Sequence, residues 1–326
     1  MFHFPEEVNL NGKRALVVGA SRGIGEEIAK DLAKRGVRVA LAATNMHAHL
    51  GGTTFDVATS IRAQGGIAHA LTCNLAKPRQ IPVMVDKAAE LLGGIDYVIY
   101  VASALLPMTL EDMTKSPQDL MKKLPPMGPW SKFLMAARQW RRKLMKKESM
   151  AKWELTQAVN STGAWLTFAA ARAHLVASAK AGRNPHILTI SPPYPIAPRW
   201  FGDMSLDTPN GFYAMCKQNM TLAMLANANA LEGVAGNALW PEKITDTAAT
   251  RSLERLIPGG NLIARSRKPA IMAHAVAVMV AQPSSYTGNT VLDRDVLSRA
   301  GVKNFDDYAT VPGTPEHELV GDWFVD

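Results

Sequence analysis

Tyr213 and Lys217 are the side chains of this sequence best suited to move a proton. Residues four apart lie on one face of a helix. A tyrosine with an ordinary pKa of about 10 is a poor base at neutral pH, but a neighbouring cation stabilises the phenolate and lowers that pKa. The pair could therefore pass a proton to or from an alcohol oxygen. The spacing Tyr-x-x-x-Lys is also common and mostly without chemical meaning, so its place in the fold decides how it is interpreted.

A glycine-rich turn follows the first apolar run of the chain and could bind phosphate. It reads Gly19-Ala20-Ser21-Arg22-Gly23-Ile24-Gly25. Gly19 permits a tight turn, Gly23 lets the backbone approach a pyrophosphate, and Gly25 lets helix and strand pack closely, while the helix N–H groups face the phosphates. A purely structural turn is the alternative. A glycine triplet between a first strand and a first helix nevertheless predicts a dinucleotide site.

Two features favour NADP(H) over NAD(H) as the dinucleotide. An acidic residue at the end of the second strand would accept hydrogen bonds from the ribose hydroxyls and repel a 2′-phosphate. Here the strand ends in Ala43-Thr44-Asn45, without an acid. Arg22 lies inside the glycine turn, where a cation can meet that phosphate. The alternative for Arg22 is a solvated surface residue.

Alternating strands and helices are predicted around these motifs. Apolar strands are predicted at 14–19, 37–43, 67–73, 97–102, 186–191, 234–240 and 289–293, and helices from 24 to a stop at 36 and at 57–64, 80–92, 154–179, 212–231 and 270–280. Continuously apolar strands joined by helices are typical of a parallel sheet covered on both faces. We therefore predict an α/β fold, a Rossmann-type doubly wound parallel sheet that forms a single domain over residues 1–326. Tyr213 and Lys217 follow its fifth strand, which favours a chemical role for the pair.

One stretch interrupts this alternation and carries the positive charge of the chain. The net charge is +8, and residues 113–152 hold eleven Lys or Arg against two acids, a local charge of +9. Apolar residues recur there near helical spacing, at Trp130, Phe133, Leu134, Ala137, Trp140, Leu144 and Met145. We predict a basic helical insertion at 106–152 that covers the substrate cleft or docks on an acidic protein or an anionic surface. A solvated basic face is the alternative, and nucleic-acid binding is disfavoured as the main role.

The chain resembles the short-chain dehydrogenase/reductase family over roughly residues 8–104 and 153–323. The matching residues are GASRGIG at 19–25, Gly94-Ile95-Asp96, Val159-Asn160, ILTIS at 187–191 and the Tyr213 and Lys217 pair. The resemblance implies a catalytic tetrad of Asn, Ser, Tyr and Lys, in which Asn160, Tyr213 and Lys217 match directly. Asn160 would hold a water that links Lys217 to solvent, and Lys217 would reach the nicotinamide ribose.

The serine of that tetrad is displaced in this sequence. The family ends its fifth strand in two serines and uses the second, which is Pro192 here, so we expect Ser191 to take the role. The resemblance also implies a set of cofactor contacts, namely Gly19, Ser21, Arg22, Gly23, Ile24, Gly25, Thr44, Asn74, Leu75, Ala102, Tyr213, Lys217, Pro241, Ile244 and Thr247. Ile244 would meet the nicotinamide carboxamide through its backbone, and Thr247 through its hydroxyl.

These features predict an NADP-dependent oxidoreductase. It would transfer a hydride between nicotinamide and a carbonyl or secondary alcohol of an apolar small molecule, such as a steroid or fatty-acyl compound. The alternative is a weak or inactive subunit on a reductase fold, docked through the insertion, which the departures at Pro192, Tyr100-Val101 and Glu242 favour. The resemblance implies a homo-oligomer. No metal site is predicted, since no carboxylate or cysteine completes a ligand set with His47 and His49.

Composition excludes several other classes of protein. Cys73 and Cys216 are too few for a disulfide scaffold and suit a reducing compartment. A hydrophobic content of 47% excludes a disordered chain. No apolar run reaches the roughly 18 residues of a membrane span. The first residues resemble neither a secretory signal nor an evident transit peptide, so we expect an intracellular protein in the cytoplasm, with mitochondrion or peroxisome as alternatives.

Overall fold

A computed structural model describes residues 5–44, 52–104, 150–194, 210–255, 261–323 and 325. The predicted insertion at 106–152 lies outside these residues except for its last three. The predicted apolar stripe from Trp130 to Met145 and the pair His47 and His49 lie outside them as well.

Seven strands of the described residues form one parallel sheet. They are β1 (Arg14–Val18), β2 (Arg38–Ala43), β3 (Ala68–Thr72), β4 (Tyr97–Tyr100), β5 (His186–Ile190), β6 (Ala235–Trp240) and β7 (Thr290–Leu292). Their order across the sheet is β3-β2-β1-β4-β5-β6-β7, and all neighbours run parallel. The chain therefore winds outward from β1, returns and winds outward again from β4, which confirms the predicted doubly wound sheet. Such a sheet has its ligand crevice at the carboxyl ends of β1 and β4, where the winding reverses.

Helices connect the strands and cover both faces of the sheet. They are α1 (Gly23–Lys34), α2 (Thr54–Ala63), α3 (Gln80–Leu92), α4 (Ala164–Lys180), α5 (Asn210–Asn229), α6 (Ala248–Glu254), α7 (Ala270–Val280) and α8 (Asp293–Arg299), with a π-helix (Gln157–Gly163) directly before α4. Helices α6 and α8 span seven residues each, too few for the periodic pattern on which the prediction of the other helices rests. None of the described helices is long and apolar enough to cross a membrane.

Side chains of β1 point alternately into two clusters of buried apolar residues. Ala15 and Val17 belong to the cluster that contains α1, α2 and α7. Leu16 and Val18 belong to the cluster that contains α3, α4 and α5. Successive residues of a strand face opposite sides of its sheet, so each cluster covers one face. The strands are apolar throughout because both of these faces are buried.

A charged cluster closes the amino end of the sheet at Asp96, just before β4. The carboxylate accepts hydrogen bonds from Arg14 Nη2 at 2.7 Å, Arg183 Nη2 at 2.9 Å and Ser178 Oγ at 2.7 Å. Burial raises the pKa of this carboxyl, but the hydrogen bonds from Arg183, Arg14 and Ser178 outweigh burial and bring the pKa to about 2. These partners come from β1, from α4 and from the loop before β5, so Asp96 joins several elements far from the ligand crevice.

Candidate active site

At two positions of the glycine turn, the backbone has room only for glycine. Gly19 has a φ of +93°, and a Cβ there would lie 2.5 Å from the backbone nitrogen of Ala102. A Cβ on Gly25 would overlap the carbonyl oxygen of Gly19. Helix α1 begins at Gly23, so its free N–H groups open at the carboxyl end of β1. The turn is thus a cradle of the kind that holds a pyrophosphate.

Other predicted cofactor residues border this turn. Ser21 is buried, Ile24 packs on the apolar cluster below, and Arg22 precedes α1 in an extended conformation. At the end of β2, the Thr44 hydroxyl is buried and has no hydrogen-bond partner within the described part of the chain. Burying a hydroxyl without a partner costs free energy. Thr44 is therefore available to a ligand that enters the crevice.

The turn after β3 holds Asn74 and Leu75 where a ligand at the carboxyl edge could meet them. The Asn74 N–H donates to Gln80 at 2.9 Å, and its Oδ1 accepts from the N–H of Ala76 at 3.0 Å. The Leu75 side chain is part of the apolar cluster. Leu75 would therefore contact a ligand through its backbone.

Lys217 lies on α5 and is almost completely buried, with 3% of its surface exposed. Its ammonium donates to the carbonyl oxygen of Ile190, at the end of β5, over 2.7 Å, and lies 5.4 Å from the centre of the Trp240 ring. Burial lowers the pKa of Lys217 to about 7, and the negative charge of Asp322 opposes this only in part. Near neutral pH the amine can therefore gain or lose a proton.

Tyr213 lies one helical turn before Lys217 and is 9% exposed. Its phenol oxygen accepts a hydrogen bond from Ser103 Oγ at 3.3 Å, and its ring meets the edge of the Trp323 ring at 5.7 Å between centroids. Burial raises the pKa of Tyr213, and the hydrogen bond from Ser103 opposes this shift only in part. The predicted lowering of this pKa is wrong, because burial of the phenol dominates. Tyr213 is a protonated phenol at neutral pH.

Asn160 lies in the π-helix and fixes the chain after β4. Its Oδ1 accepts from the N–H of Ala104 at 2.8 Å, and its Nδ2 donates to the Ala104 carbonyl at 3.3 Å. Tyr100, at the end of β4, donates its hydroxyl to the carbonyl of Val159 over 2.6 Å, and a Cβ on Gly163 would lie 2.6 Å from that hydroxyl. A π-helical turn is rare and frequent at functional sites. Here the π-helix carries Asn160, the asparagine predicted for the tetrad, and Asn160 bonds the chain that follows β4 at the edge of the crevice.

Ser191 is not brought together with Tyr213. It is 1% exposed, and its Oγ accepts a hydrogen bond from Thr221 Oγ1 at 2.7 Å. Pro192 follows, and its carbonyl accepts from the same threonine at 2.9 Å. The hydroxyl beside Tyr213 belongs instead to Ser103, which the sequence analysis did not single out although it directly follows Ala102 at the end of β4.

Residues 319–323, which we call the strap, cross the site from the far end of the chain. Val320 accepts from the N–H of Ile244 at 2.9 Å, Asp322 donates its N–H to the Glu242 carbonyl at 3.0 Å, and the Trp323 carbonyl accepts from Trp240 Nε1 at 2.6 Å. Burial raises the pKa of the Asp322 carboxyl to about 7. The strap thus lays an aromatic ring and a carboxyl group over the acid–base pair, which the sequence analysis missed.

The loop after β6 is tied into the fold at the positions predicted to meet nicotinamide. Pro241 is buried. The N–H of Ile244 is used by Val320 of the strap, and its carbonyl accepts from the N–H of Arg267 at 2.8 Å. The Thr247 side chain caps α6 by accepting from Thr250 N. A contact from Ile244 N–H to a ligand therefore requires its pairing with the strap to open.

Arg267 anchors this loop from beneath. Its side chain is fully buried and forms ion pairs with Glu242 at 2.9 Å and Glu316 at 2.5 Å. Breaking a buried ion pair is costly because it leaves a charge uncompensated. The network therefore holds the loop after β6 and the segment before the strap in one arrangement.

Cys216 is the cysteine nearest in sequence to the acid–base pair. Burial raises the pKa of the Cys216 thiol, beside Tyr213 in sequence, to about 11, so it stays protonated at neutral pH. Within the described residues no group of three or more His, Cys, Asp or Glu is placed to hold a metal ion.

Comparisons with known proteins agree with this geometry. Residues 13–124 match the short chain dehydrogenase family. Among solved structures, a short chain dehydrogenase from Mycobacterium thermoresistibile is 33% identical, with a TM-score of 0.74 over 98% of this chain and 96% of that one. Two curated relatives carry the name hydroxysteroid dehydrogenase-like protein 2. The one from Bos taurus is 34% identical over 99% of this chain, and the one from Danio rerio is 34% identical over 97%. The chain spans 65% of the length of each of these two.

Proposed function

The chain belongs to the short chain dehydrogenase family, whose members are NAD(P)-dependent oxidoreductases, and we propose that it reduces the carbonyl group of an apolar small molecule with NADPH. The observation that carries this proposal is the position of the Tyr213 phenol, which lies 3.3 Å from Ser103 Oγ at the carboxyl end of the sheet and one helical turn before Lys217. A tyrosine whose pKa is raised by burial holds its proton at neutral pH. The phenol therefore carries the proton that reduction of a carbonyl consumes.

The residues present fit a dinucleotide. The glycine cradle at Gly19 and Gly25, the start of α1 at Gly23 and the Thr44 hydroxyl, which has no partner among the described residues, lie along one edge of the sheet. Arg22 beside the cradle and the lack of an acid after β2 favour a 2′-phosphate, hence NADP(H). When bound, the nicotinamide supplies the hydride.

The chain's own residues supply the proton and its replacement. Tyr213 donates its proton to the substrate oxygen, and its phenolate must then recover one. Lys217, four residues further along the same helix and with a pKa of about 7, is the group that we propose returns it. The carboxyl of Asp322, also with a pKa of about 7, faces the same pair and helps keep the lysine charged. A water held by Asn160 stays a prediction, since its side-chain amide is bonded to Ala104.

An apolar substrate suits the surroundings of Tyr213. The Trp323 ring packs on the phenol, and Trp240 lies under Lys217. Aromatic rings bind apolar and ring-shaped molecules well. The name of the curated relatives refers to hydroxysteroids, so steroid and fatty-acyl carbonyl compounds are the first classes to try.

A homo-oligomer is part of the proposal. Met215 and Leu222 are seven residues apart, hence on one face of α5, and both are exposed, as is Trp165 on the neighbouring α4. An apolar face left open to solvent favours association with a partner. Docking of an acidic protein or anionic surface on residues 113–152 stays a prediction.

The test is binding of NADPH and NADH by fluorescence, followed by NADPH oxidation with a set of aliphatic, cyclic and steroid ketones. We expect tighter binding of NADPH and turnover with at least one apolar ketone. Tight NADPH binding with no turnover on any ketone would favour the alternative function, a non-catalytic subunit. Two features also favour that alternative: the Trp323 ring covers Tyr213, and a proline stands at position 192. Binding of neither nucleotide would contradict both functions.

A further inference from the structure

Ser103 has the position and the exposure of a substrate-binding hydroxyl. Its Oγ lies 3.3 Å from the phenol oxygen of Tyr213 and donates to it. The residue is exposed, whereas Tyr213 itself is buried. A small molecule that approaches the phenol from solvent therefore meets Ser103 at the same point.

The serine predicted from the sequence lacks these properties. Ser191 is 1% exposed, and its hydroxyl is bonded to Thr221 within the fold. The next position, Pro192, has no hydroxyl. The end of β5 therefore presents no free serine to the site, and the hydroxyl found beside the phenol comes from the end of β4.

The backbone on both sides of Ser103 is fixed. The N–H of Ala102 donates to Val18 at 2.9 Å. Ala104 is held through its N–H and its carbonyl by the amide of Asn160. A hydroxyl held between two fixed residues is preorganised, so little ordering remains to be done when the substrate binds. The Asn160 side chain therefore helps to position Ser103 in this site.

We propose that Ser103 is the catalytic serine of this chain and that it shares the substrate carbonyl oxygen with Tyr213; this inference rests on the proposed function. Two donors 3.3 Å apart can both reach one carbonyl oxygen at ordinary hydrogen-bond lengths. Ser103 then turns its hydroxyl from the phenol to the substrate.

Ser103 gains and loses no proton or bond over the whole reaction. The hydride from NADPH forms the new C–H bond at the carbonyl carbon, and the C=O π bond breaks. Its electron pair takes the proton of Tyr213, which gives the alcohol, NADP⁺ and a phenolate. Ser103 donates a hydrogen bond throughout and keeps its proton, so it polarises the carbonyl and stabilises the negative charge that develops on the oxygen.

The experiment compares variants at three serines in the full chain, with NADPH and the most active ketone of the set above. Loss of one such donor typically costs about 10²–10³ in kcat, which we expect for Ser103→Ala, while Ser103→Thr keeps most of the turnover. The loss in Ser191→Ala should be much smaller. Ser252→Ala is the control, because Ser252 is an exposed serine whose hydroxyl donates to the carbonyl of Ala248 on α6.

A second readout separates this role from a merely structural one. Ser103 stabilises charge that develops on the substrate oxygen only in the transition state, so Ser103→Ala should lower kcat while the Kd for NADPH keeps its wild-type value, whereas a structural loss would weaken both. A larger loss in Ser191→Ala than in Ser103→Ala, or a Ser103→Ala enzyme with a wild-type kcat, would overturn the inference alone. A wild-type protein inactive on every ketone would overturn the proposed function and this inference with it.

Discussion

At the amino end of the sheet, the Asp96 carboxylate is surrounded by two guanidinium groups and a serine hydroxyl, and its pKa falls to about 2. At the carboxyl end, Lys217 has one backbone carbonyl as its hydrogen-bond partner in the described residues, and its pKa falls to about 7. Asp322 of the strap is buried as well, and its pKa rises to about 7. At the amino end, the charge of the Asp96 carboxylate is compensated by its partners. At the carboxyl end, burial disfavours the charged forms of Lys217 and Asp322, and their partners compensate for this only in part.

The difference shows what each end of the sheet contributes. A compensated charge stays ionised at all physiological pH values and ties elements together, so it contributes stability. A poorly compensated group changes its protonation near neutral pH, which costs stability but permits proton transfer. Perturbed pKa values near 7 therefore mark the carboxyl end as the functional one.

The largest expected effect comes from removing the phenol oxygen at the carboxyl end. In Tyr213→Phe we expect turnover to fall by about 10²–10⁴, the usual contribution of general acid–base catalysis, with NADPH binding retained. Steady-state kinetics and nucleotide fluorescence measure the two quantities.

Tyr97→Phe is the matched control at the amino end. The Tyr97 hydroxyl is buried and has no partner in the described part of the chain, so its loss should leave turnover and stability close to wild type. Equal kinetic losses in the two variants would remove the distinction between the two ends.

The next largest effect should fall on stability at the amino end. Asp96→Ala leaves Arg14 and Arg183 without their carboxylate, and breaking a buried ion pair costs about 3–5 kcal/mol. We expect a loss of that size in the free energy of unfolding, measured by urea denaturation.

Asp293→Asn, after β7, is the comparison variant. Burial raises the pKa of the Asp293 carboxyl to about 6, and its Oδ1 accepts from the N–H of Glu242 and of Arg294. Asparagine keeps such an acceptor and removes a charge that burial disfavours, and Arg267 keeps Glu242 and Glu316 when its longer 3.8 Å ion pair with Asp293 is lost, so the loss should be smaller. A loss as large as that of Asp96→Ala would contradict our account of the carboxyl end.

The pH dependence of stability should run in opposite directions at the two ends. Asp96 has a folded pKa below its unfolded value of about 3.9, so its contribution is present above pH 4 and is lost as pH falls toward 2. Asp322 has a raised folded pKa, so its contribution is present below about pH 4 and is lost as pH rises toward 7. Urea denaturation at pH 5 and pH 8 should show a smaller decline in Asp322→Asn than in wild type. An unchanged decline would show that Asp322 is not the group responsible.

A smaller effect is expected on the choice of nucleotide. In Arg22→Ala the preference for NADPH over NADH should fall ten-fold or more, since a charged hydrogen bond contributes about 1.5–3 kcal/mol. Fluorescence titrations with both nucleotides measure the ratio. Equal losses for both would show that Arg22 does not contact the 2′-phosphate.

The smallest effect should come from uncovering the phenol. Trp323→Ala removes the ring that buries Tyr213, and because burial raises the pKa of Tyr213, the limb of the kcat pH profile due to the phenol should move to lower pH. Trp323→Phe keeps an aromatic ring and should move that limb less. A shift to higher pH in the alanine variant would show that Trp323 does not bury the phenol.

The sheet and the Tyr213 and Lys217 pair could be predicted from sequence because they depend on local patterns. Apolar runs mark the strands, and a spacing of four places both side chains on one helix face. Ser103 was missed because the family motif places its serine at the end of β5, and only the folded backbone shows that a hydroxyl after β4 lies within hydrogen-bond distance of the phenol. The pKa of Tyr213 was predicted with the wrong sign because burial depends on the whole fold.

The strap could not be predicted from sequence because its contacts join residues that are far apart in the chain. The same separation determines when the site can be completed during synthesis. Trp240 and Trp323, which share a hydrogen bond, are 83 residues apart. At a synthesis rate of about 5–20 residues per second, roughly 4–17 s pass between the appearance of the first tryptophan and the second. The sheet can begin to form around β1 and β4 during that time, but the cover of Tyr213 arrives only with the strap. Long-range contacts of this kind form late in folding, so the acid–base site is completed after most of the structure that supports it.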